Sequence, residues 1–116
     1  MSIVLVGVNH KSAPLAVREL LALSDEACAS GLRSLVDGEI VREGLIVSTC
    51  NRVEVLTETA NGRLAETSAR IIEFLTRANE LPRSLFETQL YQHTDDQAVR
   101  HLFRVEIGRA SCRERV

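Results

Sequence analysis

Aromatic residues are scarce: they make up 3% of the 116 residues, with no tryptophan, a single tyrosine and three phenylalanines. The core must therefore be aliphatic. Readers of RNA on a sheet surface stack bases on exposed aromatic rings, and Tyr91 alone supplies little of that. Only three cysteines occur, Cys28, Cys50 and Cys112, with no Cys-x-x-Cys pair. An odd, unpaired set argues against a disulfide framework and a structural zinc site, and fits a reducing cytoplasm. No apolar run approaches the roughly 20 residues that span a bilayer. The start, Met1-Ser2-Ile3-Val4, lacks the basic region and cleavage site of a signal peptide. Basic residues are not in excess either. The formal net charge is −2, so any nucleic-acid contact must be local. No strand runs into Gly-x-Gly-x-x-Gly, so no dinucleotide site can be read.

What is present describes one soluble domain, with an apolar fraction of 45% and a charged fraction of 26%. Residues Ile3 to Val8 form an almost unbroken apolar run, the pattern of a buried strand. Asn9 to Pro14 is a polar loop, and Pro14 suits the first turn of a short helix carrying Leu15, Val17, Leu20, Leu21 and Leu23. Ser24 followed by Asp25 and Glu26 predicts an N-cap with acidic first-turn residues. Cys28, Leu32, Leu35 and Val36 then share one helix face, which makes Cys28 a small core residue. Asp37-Gly38 ends that helix. Leu45 to Ser48 and Val53 to Thr59 read as strands, the latter covered on both faces because its alternation is imperfect. After the Asn61-Gly62 turn, Leu64, Ser68, Ile71, Ile72 and Leu75 mark an amphipathic helix to about Ala78. Leu81-Pro82 breaks it. Leu85 and Phe86 suggest a helical turn and Thr88 to His93 a last strand. Thr94 to Gln97 reads as a capping box opening a helix with Ala98, Val99, Leu102 and Phe103.

The order β-α-α-β-β-α-β-α contains β-α-β-β-α-β. It predicts an α+β, ferredoxin-like split βαβ fold, with about four mostly antiparallel strands, helices packed on one face and extra helices.

Chemistry concentrates in Ser48-Thr49-Cys50-Asn51-Arg52, at the exit of the apolar run Leu45-Ile46-Val47. A thiolate is the nucleophilic form of cysteine, and a nearby cation such as Arg52 lowers the free pKa of about 8.5. Arg52 can instead grip a carboxylate through two parallel bonds. Together they suggest covalent chemistry on an acidic acyl substrate. The plain alternative is a cysteine capping a buried strand. Two further classes remain open. One is a noncatalytic α+β module that binds RNA or protein. The other is an unrelated cysteine enzyme, such as a thioesterase or redox thiol, with His10 as the loop base. His93 reads as a surface histidine, and His101 as a packed one beside an apolar stripe.

Taken together, the separated motifs resemble one family. The chain reads Gly7-x-Asn9-His10-Lys11-x-Ala13-Pro14, then Arg18-Glu19, Ser48-Thr49-Cys50-Asn51-Arg52-x-Glu54, and His101-Leu102-x-Arg104-Val105. Over residues 3 to 105 this is similar to the N-terminal catalytic domain of glutamyl-tRNA reductase. The resemblance implies an NADPH-dependent enzyme of tetrapyrrole biosynthesis that turns glutamyl-tRNA into glutamate-1-semialdehyde through a thioester. It implies catalytic roles for Cys50 and His101, and a glutamate pocket of Thr49, Asn51 and Arg52, with His10 beside it. It further implies a cytoplasmic homodimer that hands its product to glutamate-1-semialdehyde aminomutase. Val53 departs from the polar residue usual there. The resemblance fails after Val105, so residues 106–116, polar and Arg-rich, read as a non-native, cloning-derived tail. Cofactor and dimerisation domains are expected to lie outside this chain, and the fragment to bind no cofactor and to be possible as a monomer.

Overall fold

Alternate valines set the orientation of the first strand. In the computed structural model, β1 (Ser2–Asn9) turns Val4, Val6 and Val8 into the main core, each at most 1% exposed. Leu5 on the opposite face is buried as well, so both sides of β1 are covered, which is why it reads as a continuous apolar run. The structure describes residues 2–9, 11–49, 51–78, 84, 87–108 and 113–115.

The elements that follow are α1 (Leu15–Leu21), α2 (Asp25–Leu35), β2 (Val41–Ser48), β3 (Arg52–Thr59), α3 (Leu64–Ala78), β4 (Tyr91–Thr94), α4 (Asp95–Gly108) and β5 (Arg113–Arg115). The sheet order is β4-β1-β3-β2-β5, with every pairing antiparallel. The first four strands give the α+β, split βαβ arrangement expected. Arg113–Arg115 adds a short fifth strand on the edge of β2, within the segment read as a tail.

The helices of the split βαβ core pack on one face. Leu21, Cys28, Leu32, Leu35, Ile71 and Leu75 meet Val41, Ile46, Val53 and Val55 there. Cys28, 1% exposed, is the core residue its helix position predicts. Fully burying each such Leu or Val is worth about 1.5–3 kcal/mol, so this layer contributes heavily to stability. The extra helix α4 lies across the opposite face, against β1 and β4.

Several boundaries follow from side-chain capping. Ser24 Oγ accepts from the Ala27 amide at 3.1 Å and starts α2, as its sequence position predicts. Asp37 Oδ1 accepts from the amides of Glu39, Ile40 and Val41, so the chain turns into β2 four residues earlier than the apolar run suggests. The last strand begins at Tyr91, because Glu87–Gln89 forms a 3-10 turn. Thr94 still belongs to that strand. Asp95 takes a positive φ of 46° and its Oδ1 accepts from the Ile3 amide at 3.0 Å, pinning the start of α4 to β1. The turn predicted at Leu85 and Phe86 lies outside the described residues.

The Arg70 guanidinium, 2.7 Å from Asp37, and the turn amides hold the Asp37 carboxyl well below the usual carboxylate range. A depressed carboxyl stabilises the fold fully above its unfolded value of about 3.9, and that contribution is lost as pH falls towards its folded value. Asp37 is a third exposed, so the effect is modest. Asp37→Asn is expected to flatten the loss of urea stability below about pH 4. An unchanged acid slope would remove Asp37 from this role.

Candidate active site

The loop after β1 is held by its own polar residues. Asn9 Oδ1 accepts from the Lys11 and Ser12 amides, and Ser12 Oγ accepts from the Asn9 amide at 3.0 Å. Arg18 Nε donates to the Ala13 carbonyl at 3.2 Å, so Arg18 braces the loop. His10, the loop histidine assigned to the substrate, lies outside the described residues.

The Ser48-to-Arg52 run is the turn between β2 and β3. Ser48 Oγ is buried and accepts from the Leu23 amide at 3.0 Å, tying the turn to the α1–α2 connection. Thr49 Oγ1 accepts from the amides of Asn51 (3.1 Å) and Arg52 (3.2 Å), while the Thr49 amide donates to the Arg52 carbonyl at 2.8 Å. Three bonds from one threonine thus close a tight turn around position 50. Cys50 itself lies outside the described residues. Asn51 and Arg52 are half-buried.

Period-two alternation puts Arg52 and Glu54 on the same face of β3, the face that α4 covers. In register, Glu54 stands opposite Gly7 on β1, and Gly7 stands opposite Tyr91 on β4. Glu54 Oε2 accepts from Tyr91 Oη at 2.5 Å, so its side chain reaches over β1. Gly7 makes that crossing possible. A Cβ there would sit 2.8 Å from Glu54 Cγ and 2.4 Å from the Val53 carbonyl oxygen.

Glu54 is 4% exposed and gathers three partners. Arg52 Nη1 donates to Oε1 at 3.3 Å, Tyr91 Oη to Oε2, and His101 Nε2 of α4 also contacts Oε2. A carboxylate only accepts, so the imidazole donates through Nε2. Burial and the Glu54 charge push the Tyr91 phenol well above its ordinary range, which keeps it a donor. His93 is half-buried here, not a surface residue. Its ring centroid lies 4.8 Å from that of His101 and 5.4 Å from that of Tyr91.

Two of the residues assigned from sequence, Arg52 and His101, therefore meet on one carboxylate at the strand ends nearest position 50. The sequence reading did not assign Glu54 a role. Its signal was a charge between Val53 and Val55 in a strand covered on both faces, where a carboxylate needs partners. Tyr91 was missed too. Its ring is committed to the site and offers no free platform for a base. A groove of about 260 Å³, lined by Ile3, Leu45, Leu56, Glu43 and Glu58 among others, opens on the same sheet face but at the opposite strand ends. Among the described residues, no cluster of three or more His, Cys, Asp or Glu could hold a metal ion, and no helix is long and apolar enough to cross a membrane.

Fold and site define a class: an α+β domain whose split βαβ sheet carries a cysteine-bearing turn beside a buried Arg-Glu-His cluster. Comparison with known proteins narrows the class. The family model for the glutamyl-tRNAGlu reductase N-terminal domain matches residues 6–112. Glutamyl-tRNA reductase of Pelobacter propionicus is 43% identical over 105 residues, covering 90% of this chain and 24% of that protein. That of Colwellia psychrerythraea is 40% identical over 108 residues, covering 93% of this chain and 25% of the relative. Among solved structures, glutamyl-tRNA reductase from Methanopyrus kandleri superposes with a TM-score of 0.58 at 29% identity, over 89% of this chain and 21% of that one. The chain belongs to the glutamyl-tRNA reductase N-terminal domain family. It spans about a quarter of the length of the curated relatives it matches.

Proposed function

We propose that this chain is the substrate-binding and catalytic part of a glutamyl-tRNA reductase. Cys50 takes the glutamyl group from its tRNA as a thioester. The thiolate attacks the ester carbonyl, a carbon–sulfur bond forms, the carbon–oxygen bond to the ribose breaks, and the released ribose oxygen takes up a proton. An aminoacyl ester is already activated, so the thiolate needs no strong acid to expel the ribose. Arg52 receives the side-chain carboxylate of glutamate. An uncharged competitor would leave that guanidinium without its partner, which discriminates strongly. Thr49, Asn51 and His10 line the pocket, and His101 orients the site. Support comes from family membership together with one geometric observation, the meeting of Arg52 and His101 beside the Cys50 turn.

The residues of this chain do not fit a dinucleotide. None of its six glycines lies two positions from another, so no Gly-x-Gly turn is available to approach a pyrophosphate. NADPH held by another part of the full-length enzyme would supply the hydride that releases glutamate-1-semialdehyde. The full-length enzyme is read as a cytoplasmic homodimer that passes this aldehyde to an aminomutase.

Incubating the chain with glutamyl-tRNA, without NADPH, is expected to give a mass increase of one glutamyl residue. Peptide mapping should place it on Cys50. A folded sample that acquires no adduct overturns the proposal.

A further inference from the structure

We propose that Glu54 is the positioning residue of the site: its buried carboxylate holds the Arg52 guanidinium and the His101 imidazole in a fixed relation. This rests on the function proposed above and goes beyond it by settling how His101 acts. The argument starts from Gly7. Without a Cβ there, the Glu54 side chain crosses β1 and ends among three partners, Arg52 on its own strand, Tyr91 on β4 and His101 on α4. Each carboxylate oxygen is used. Oε1 faces Arg52, and Oε2 faces Tyr91 and His101.

Two consequences follow. His101 Nε2–H is spent on the protein, so that nitrogen carries no proton to or from the ribose oxygen. His101 instead acts through its placement. Second, one end of the Arg52 guanidinium is anchored through Nη1, and a rigid planar fork anchored at one edge presents the rest in a fixed direction. Glu54 is then an internal template for the carboxylate that Arg52 receives, and selectivity for an acidic acyl group depends on it.

Two measurements on the chain test this. Long-range nitrogen–proton NMR of histidine-labelled protein should show His101 with its proton on Nε2 in the wild type. A bare Nε2 overturns the proposal, whether or not Glu54 variants fold. Single-turnover acylation of Cys50 by glutamyl-tRNA and by glutaminyl-tRNA forms the second arm. For Glu54→Gln, shown folded by circular dichroism, the glutamyl-over-glutaminyl preference is expected to fall roughly 10- to 100-fold, the range for a lost charged hydrogen bond. Glu54→Asp, which keeps the charge, should restore part of it. A wild-type selectivity in folded Glu54→Gln would overturn the inference while leaving the nucleophile in place. Failure of the wild type to acylate at all would instead remove the proposed function, with the imidazole signature still deciding the Glu54–His101 pairing.

Discussion

Replacing Cys50 with serine is expected to abolish adduct formation with glutamyl-tRNA, to below a thousandth of the wild-type single-turnover rate. The expectation rests on leaving a weak nucleophile in place of a strong one. A thiol is a few per cent ionised at neutral pH and intrinsically very nucleophilic, whereas a serine hydroxyl needs an adjacent base to become so. The turn that carries position 50 should survive the exchange. Its bonds come from Thr49 and from backbone groups, and Ser48 fixes it to the rest of the domain. The measurement is intact-protein mass after rapid quench, with circular dichroism as the folding control. Cys112→Ser is expected to acylate like the wild type. Cys28 is buried in the main core and has no route to a tRNA ester. A serine variant that still gained a glutamyl group would end the nucleophile assignment.

Arg52→Lys is expected to slow acylation by glutamyl-tRNA about 10- to 100-fold, with much smaller losses for an ester that has no side-chain carboxylate. Lysine keeps the charge but not the planar fork, so it cannot face Glu54 and a substrate carboxylate in the same fixed geometry. One charged hydrogen bond is worth about 1.5–3 kcal/mol, and each 1.4 kcal/mol is a factor of ten. Removing the cation altogether makes a poorer experiment. Arg52→Ala would take the cation from Glu54 Oε1, leaving Tyr91 and His101 on Oε2 of a carboxylate that is 4% exposed, and breaking a buried pair from one side costs up to about 3–5 kcal/mol. Stability and chemistry would then change together. Equal slowing of glutamyl and uncharged esters by Arg52→Lys would take Arg52 out of the carboxylate role.

How far the sequence spoke depended on whether the signal was local. The helix Leu64–Ala78 appears where its apolar spacing placed it, since Ile71 and Leu75 recur on one face and both are fully buried. Ser24 capped as its neighbours Asp25 and Glu26 indicated. The start of β2 was hidden because Arg42 and Glu43 are exposed at an irregularity in its pairing with β3. Pairing partners far along the chain decide such an edge, and its own residues carry little sign of it. The site shows the same division. The cysteine turn announced itself through five adjacent residues. Glu54, Tyr91 and His93 did not, because their meaning depends on a strand order that brings residues 7, 54 and 91 into one row. His101 illustrates the middle case. Its helix position was legible, but its partner sits 47 residues away.

The sheet is two-sided in purpose as well as in packing. Its α2–α3 side is a largely aliphatic layer, and the groups proposed for chemistry lie on the side that α4 closes. Hardening and reactivity are therefore separately tunable. Substitutions within the aliphatic layer are expected to move the melting temperature and leave the proposed acylation of Cys50 unchanged. Loosening α4 is instead expected to slow that proposed acylation while the domain still melts as a folded body.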